Sequence, residues 1–369
     1  MKVLFITNLP SPYRVDFFNE LGKKIDLTVC YERKSSKERN KNWVNQSKRN
    51  YKERFALGKP IGIDRSIGFG VIKELKKDKY DYIIISGFSS PSIILAIIYC
   101  QLRKINYIIE DDGGLLNKNG EKYKAIKKFL LRKTMAYFTT TDENIQNLLS
   151  LGVKRNKIFK YPFSSVKDKD IEDGVYKKKE IHNIRRTLNM KEKRIILSVG
   201  QFITRKGFDV LLKSFSEMPN DCGLYFVGGK PTKEYLDIVK KFNIKNVYFV
   251  GFKNKEELKE YYAAADIFVL PTREDIWGLV INEAMAAGLP IITTNRCGAG
   301  LELIKDNKNG FLTDVEDIKS LTKRMKEILY VDCIKSKMAE ETILIIKKYT
   351  IEEMVKWHIK MLENLKNNH

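Results

Sequence analysis

The stretch "REDIWGLVINEAMAAGLPII" (273–292) gathers Glu274, Asp275 and Glu283 around a Trp277-Gly278 pair and then turns apolar. Carboxylates accept hydrogen bonds from hydroxyl groups, and a helix opening beside them offers backbone N–H groups to a phosphate. "DIFVLPT" reads as a strand, "REDIWG" as the loop leaving its C-terminal end, and "LVINEAMAAG" as a helix closed by Gly288 and Pro290. Gly278 lets the backbone approach a ligand closely, and the N–H groups of Gly278, Leu279 and Val280 stand at the helix start. Glu283, about one turn on, can accept from the diol of a ribose. The same acids also suit helix capping and plain solvation. A second motif, "SVGQFITRKGFDVLL", is a strand, a glycine loop from Gly200, and a helix, with Arg205 and Lys206 at the end of the loop. A guanidinium fork beside an ammonium point charge suits a diphosphate, or the two stand solvated.

These loops need elements to carry them. Strand-like runs at 2–7, 26–31, 81–86, 106–110 and 136–141 alternate with amphipathic stretches, and the alternation resumes at 194–200, 223–229, 247–252, 266–271 and 290–294. That pattern predicts an α/β chain with two parallel sheets, whose ligands sit at the C-terminal ends of the strands. Between the halves runs "SSVKDKDIEDGVYKKKEIHNIRRTLNMKEK", dense in charge and poor in apolar periodicity, which puts a boundary near residue 180. The expected domains are 1–180 and 181–350, followed by an amphipathic helix at 351–369 that docks back on the N-terminal domain. "DKD" at 168–170 lies in the charged segment rather than behind a strand and is rejected as a metal site.

The 369 residues exceed the size at which single cores usually stop growing, and 43% hydrophobic content suffices for two. Five scattered cysteines without a CxxC pair argue against a disulfide framework or zinc site and for a reducing compartment. With three histidines a His-based metal site or triad is not expected, and His358 and His369, near the C-terminus, read as solvated. "MKVLFITNLP" is too short for a signal sequence, and "PSIILAIIYCQL" too short to span a bilayer. The formal charge of +22 implies nucleic acid, a membrane surface or phosphorylated substrates as partner, or reflects the Lys, Asn and Ile bias of an AT-rich coding sequence. It concentrates at 32–54, with nine Lys or Arg against three Glu around Trp43, and in "EKYKAIKKFLLRKT". The latter reads as a helix with Lys124, Lys128 and Arg132 on one side and Ile126, Phe129 and Leu130 towards another. It is either a surface for anionic headgroups or a core-packed helix with solvated lysines.

Taken together and in order, the blocks from "SVGQFITRKGFDVLL" through "LYFVGG", "VYFVGFKNKEELKEYYAAADIFVLPT" and "EDIWGLVINEAMAAGLPIITT" to "ELIKDNKNGFL" resemble the retaining nucleotide-sugar glycosyltransferases of family 4. Their GT-B fold sets two Rossmann-like domains facing across a cleft. The resemblance implies that Glu283 binds the ribose and that Asp275, or the adjacent Glu274, contacts the donor sugar. Where the family has two glutamates separated by seven residues, the first place here is an aspartate. Arg205 and Lys206 match the basic pair that neutralises the diphosphate, whereas Gln201 stands where the family often has arginine. The resemblance also implies front-face displacement without a protein nucleophile or a metal. The N-terminal half matches more loosely. Relatives often carry a histidine where this chain reads "IEDDGG", so one of Glu110, Asp111 or Asp112 orients or deprotonates an acceptor hydroxyl, or only caps a turn. In "NLPSPYRVDFF", Arg14 meets a phosphate of donor or acceptor, or is a surface arginine beside a rigid turn.

The expected function is therefore sugar transfer from a nucleoside diphosphate donor, UDP favoured, to a glycan or polyprenyl-linked acceptor in capsule or exopolysaccharide synthesis. No cofactor is required, and the place expected is the cytoplasm or the inner face of the cell membrane. A same-fold nucleotide-sugar 2-epimerase is the alternative. A basic nucleic-acid-binding protein is disfavoured because no recognition motif is visible, so no nucleic-acid partner is expected.

Overall fold

The computed structural model describes residues 1–35, 47–56, 58–62, 65–112, 121–171, 173 and 180–367, without the side chains of 121–124 and 332. The expectation drawn from Trp43 and the basic run around it lies largely outside these residues. The chain forms two compact units, Met1–Ser165 with Ile351–His369, and Val166–Thr350.

The first unit holds β1 (Lys2–Thr7), β2 (Asp26–Tyr31), β3 (Lys52–Phe55), an antiparallel ribbon of β4 (Lys59–Ile61) and β5 (Arg65–Ile67), then β6 (Tyr82–Ser86), β7 (Ile108–Asp111), β8 (Ala136–Thr139) and β9 (Ile158–Lys160). Its main sheet is parallel, in the order β3-β2-β1-β6-β7-β8-β9. A parallel sheet is covered on both faces, so its strands are apolar throughout rather than alternating. One face sends Leu4, Ile6, Ile83, Ile85 and Ile109 against Ile93, Ile97 and Cys100 of the helix Pro91–Arg103. The other carries Phe5, Ile84 and Phe138, and the helices Pro12–Gly22 and Ile351–Asn367 pack there through Phe17 and His358. Tyr82 also donates its hydroxyl to the Leu362 carbonyl at 2.9 Å. The C-terminal helix thus belongs to the first unit. His358 is fully buried there, contrary to its expected solvation, because its ring completes an aromatic layer.

The second unit is a parallel sheet of β10 (Arg194–Val199), β11 (Cys222–Val227), β12 (Val247–Val250), β13 (Ile267–Leu270), β14 (Ile291–Thr294) and β15 (Gly310–Thr313), in the order β12-β11-β10-β13-β14-β15. Ile196, Leu224, Phe226, Val269 and Ile292 fill its core with Leu211, Phe215, Met325 and Ile328 of two covering helices. The division between units falls after Ser165, not near residue 180. Asp170 is why: its carboxylate meets Lys255 at 2.8 Å and Lys259 at 3.0 Å, tying this charged stretch to the second unit's helix Lys255–Ala264. Charge density made it look like a linker, but Asp170 and Asp173 are paired with lysines of the second unit.

Candidate functional site

In the second unit the chain runs outward from β10 through β11 to β12, then returns to the other side of β10 as β13. Ligands of such sheets bind where the order reverses, outside the carboxyl ends of the strands. The two loops singled out above are the ones that leave β10 and β13. Gly207, at φ +66°, closes the first loop, and a Cβ there would lie 2.0 Å from the Pro271 carbonyl oxygen. Only glycine permits that approach. Main chain and side chains then join the loops: Arg273 N–H donates to the Arg205 carbonyl (2.8 Å), as does the Thr272 hydroxyl (2.9 Å). Arg273 spreads its guanidinium over both oxygens of Asp209 at 2.8 Å and also pairs with Glu316. Hydrogen bonding to Asp209 holds Arg273 well above its ordinary pKa, and although burial opposes it, the Asp209 carboxyl is drawn below its own.

That frame presents the charges. Lys206 Nζ lies 2.6 Å from Asp275 Oδ2, and Arg205 Nη1 lies 3.3 Å from Asp275 Oδ1 while donating to the Glu274 carbonyl at 2.9 Å. The stem of Lys206 runs past Gly200, where a Cβ would meet it at 3.4 Å. Asp275 is itself fixed by its main chain, receiving at its carbonyl the N–H of Gly298 (3.1 Å) and donating to the Arg296 carbonyl (2.9 Å). Gly278, at φ +95°, turns the chain into the helix Leu279–Ala286; a Cβ there would stand 2.8 Å from Cys297 Sγ. Glu283 sits within that helix and accepts from the Tyr262 hydroxyl at 2.9 Å. Tyr262 is buried, and burial together with Glu283 pushes its pKa far up, so it remains a donor. Trp277 was named as a donor contact, but its side chain is only 3% exposed and donates Nε1–H to Asn282 Oδ1 at 2.7 Å. It shapes the turn from inside, while Leu279 and Val280 stay half-buried at the helix start.

In the first unit Arg14 and Glu110 are buried against each other, with Nη1 to Oε1 at 2.5 Å. Arg14 is therefore not a surface arginine. Glu110 gives its second oxygen to His358 Nε2 at 2.8 Å, leaving neither for a substrate. Burial pushes the Glu110 pKa up, but Arg14 and His358 outweigh it and hold the carboxyl at about 2. The second arm of Arg14 reaches Asp112 at 3.4 Å, and Asp111 and Asp112 are both half-exposed at the end of β7. Gly113 and Gly114 lie outside the described residues.

The structure thus unites Arg205, Lys206, Glu274 and Asp275, anchors Glu283 beside Gly278, and turns Trp277, Arg14 and Glu110 inward. Sequence reasoning missed Arg273, Asp209, Glu316, Tyr262 and His358. Arg273, Asp209 and Tyr262 stand inside motifs already singled out, whereas Glu316 lies outside them. Among the described residues no group of three or more His, Cys, Asp or Glu is placed to hold a metal ion.

Residues 180–343 match the family described as glycosyl transferases group 1. The chain is 26% identical over 276 residues to an uncharacterized 41.2 kDa protein in the cps region of Klebsiella pneumoniae, covering 73% of this chain and 75% of that one. It is 30% identical over 169 residues to the sulfoquinovosyl transferase SQD2 of Arabidopsis thaliana, which spans 45% of this chain and 31% of that protein. Among solved structures, Anabaena HepE in complex with UDP superposes with a TM-score of 0.80 at 15% identity, covering 99% of this chain and 100% of that one. The chain is a glycosyltransferase of GT-B fold, and its match to the glycosyl transferases group 1 model is confined to residues 180–343.

Proposed function

We propose that this enzyme acts as a retaining family 4 transferase. It moves a sugar from a UDP-sugar, without metal or other cofactor, to a glycan or polyprenyl-linked glycan acceptor in surface-polysaccharide synthesis. The second unit takes the donor and the first the acceptor. The observation that carries this is the Lys206–Asp275–Arg205 cluster at the reversal point of the second sheet, directly before the helix that bears Glu283. Two cations against one carboxylate leave positive charge for a diphosphate, and that charge stabilises the leaving group as its bond to the sugar breaks. Asp275 or Glu274 receives the donor-sugar hydroxyls and Glu283 the ribose diol. HepE, with which this chain shares its fold, was solved with UDP, which favours that nucleotide. Incubation with UDP-sugars in the presence of a chelator tests the proposal: UDP is released, and proton NMR shows the transferred sugar as its α-anomer. An inverted product, or donor isomerised with no UDP released, contradicts it.

The acceptor's lipid end calls for a membrane, and the first unit has a surface that suits one. Gln101 donates to the carbonyls of Phe129 (3.2 Å) and Leu130 (2.8 Å), joining the ends of the helices Pro91–Arg103 and Glu121–Leu131. Leu130 is buried there, whereas Leu102, Ile126 and Phe129 are 77%, 56% and 43% exposed. Residues 96–105 and 124–134 contain no Asp or Glu, and Arg103, Lys104, Lys127, Lys128, Arg132 and Lys133 flank the three apolar residues in sequence. Apolar side chains ringed by cations bind anionic bilayers at the cytoplasmic face. No helix of the described residues is long and apolar enough to cross one. Binding to vesicles containing phosphatidylglycerol, but not to pure phosphatidylcholine, is expected in sedimentation. The triple substitution of Leu102, Ile126 and Phe129 by Ser weakens it by about tenfold or more.

A further inference from the structure

We propose that His358 is a positioning residue of the acceptor side: it holds Glu110 against Arg14, so that Arg14 holds Asp112 where an acceptor hydroxyl binds. This rests on the glycosyl-transfer reading above and assigns its acceptor contact, which the sequence left open among Glu110, Asp111 and Asp112.

The hydrogen-bond pattern fixes the ring. His358 Nδ1 lies 2.7 Å from the Met354 carbonyl oxygen, which only accepts, so Nδ1 carries a proton. Nε2 lies 2.8 Å from Glu110 Oε2, and with Arg14 on its other oxygen Glu110 is a carboxylate that also only accepts. Both ring nitrogens therefore face acceptors, which clamps the ring between Met354 and Glu110. Its other neighbours are aromatic rings. From the helix Pro12–Gly22 it meets Phe17, from β8 Phe138, from its own helix Trp357, and from the segment after β9 the neutral Tyr161, with ring centroids 4.9–5.6 Å away. The ionisable groups of the cluster are Arg14, Glu110, His358 and Asp112, with Asp111 following Glu110 along β7.

Three members of this cluster are buried, and one is not: the Asp112 side chain is 37% exposed, while those of Arg14, Glu110 and His358 are 4%, 0% and 0%. A buried ion cluster gains little over a well-packed apolar one for stability alone, so an arm that reaches the strand end invites a use there. Asp112 lies just past the end of β7, two residues after Glu110, and the two share the Arg14 fork. The Asp112 main chain is also held, its carbonyl accepting from the Thr140 hydroxyl at 3.0 Å. Two hydroxyls near these charges, Ser86 Oγ and Tyr161 Oη, are buried with no hydrogen-bond partner among the described residues. Ser86 is the register partner of Glu110, and Tyr161 interacts electrostatically with Arg14, Glu110 and Asp112. Buried hydroxyls are seldom left so, and a polyhydroxylated ligand or ordered water at this strand end would satisfy them.

The test uses the full chain with UDP-glucose as probe and water as acceptor, read as UDP release beside calorimetric UDP binding. Asp112→Asn is expected to lower kcat by about 100-fold with UDP affinity unchanged, and Arg14→Lys, which keeps the charge but loses the fork, to follow it. His358→Phe is expected to lower kcat by about tenfold, and the double variant Asp112→Asn/His358→Phe to be no slower than Asp112→Asn alone. Asp112→Asn with wild-type kcat, or a multiplicative double variant, would overturn the inference. Absence of UDP binding by the wild type would instead overturn the donor reading, which the first unit does not enter.

Discussion

Lys206→Ala lowers kcat/KM for the nucleotide-sugar donor by about 10²–10³-fold, the range seen when one preorganised charge-stabilising group is removed from an active site. Lys206 is largely buried, its stem against Gly200 and its ammonium on Asp275, so it is held in place rather than sampling solvent. Arg205 cannot replace it, being 45% exposed and farther from Asp275, at 3.3 Å. Gln201, where the resembling family often has arginine, supplies no third cation. Because leaving-group charge grows in the transition state, the loss falls on kcat more than on KM. Steady-state UDP release measures this, and a change confined to KM would show that Lys206 binds ground state and transition state alike.

Glu110→Ala destabilises the first unit by about 3–5 kcal/mol, as expected when one partner of a buried ion cluster is removed and its opposite charges are left uncompensated. Arg14 and His358 would then face each other with no carboxylate between them. Urea unfolding followed by the fluorescence of Trp357, which packs on Phe138 and Tyr161, reads the change. The pH dependence has a definite sign. The folded Glu110 pKa is depressed from 4.5 to about 2: burial alone would raise it, but Arg14 and His358 outweigh burial. A depressed carboxyl stabilises the fold above its unfolded pKa, and that contribution is lost as pH falls from 4.5 towards about 2. The loss is on the order of 3 kcal/mol in wild type and absent in Glu110→Ala.

Long apolar strands were plain in the sequence because parallel sheets bury both faces, and all ten stretches named there correspond to strands. The missed strands are short or carry charge. β3 is Lys-Glu-Arg-Phe at one sheet edge and β9 is three residues at the other, so neither has the apolar length that marks a strand. The meeting of Arg205, Lys206, Glu274 and Asp275 was legible because the loops that carry them follow strands and keep local spacing. The Glu110–His358 pair, 248 residues apart, left no local pattern, and a histidine near the end of a chain looks solvated until its helix is docked. Trp277 misled for the opposite reason. It stands inside the motif, yet its indole is spent on Asn282, five residues on.

The central claim is that the charges around Asp275 and Glu283 form a nucleotide-sugar site. Calorimetric titration of UDP-, GDP- and ADP-sugars without metal, into wild type and Glu283→Ala, tests it most directly. Glu283 is anchored by Tyr262 and half-buried, so its removal takes away the proposed diol contact without opening the core. The account predicts that the UDP series binds wild type and that Glu283→Ala loses about tenfold or more of that affinity, the scale of a charge-assisted hydrogen-bonded pair. Equal affinity in the two proteins, or no binding of any nucleotide sugar to wild type, would contradict it.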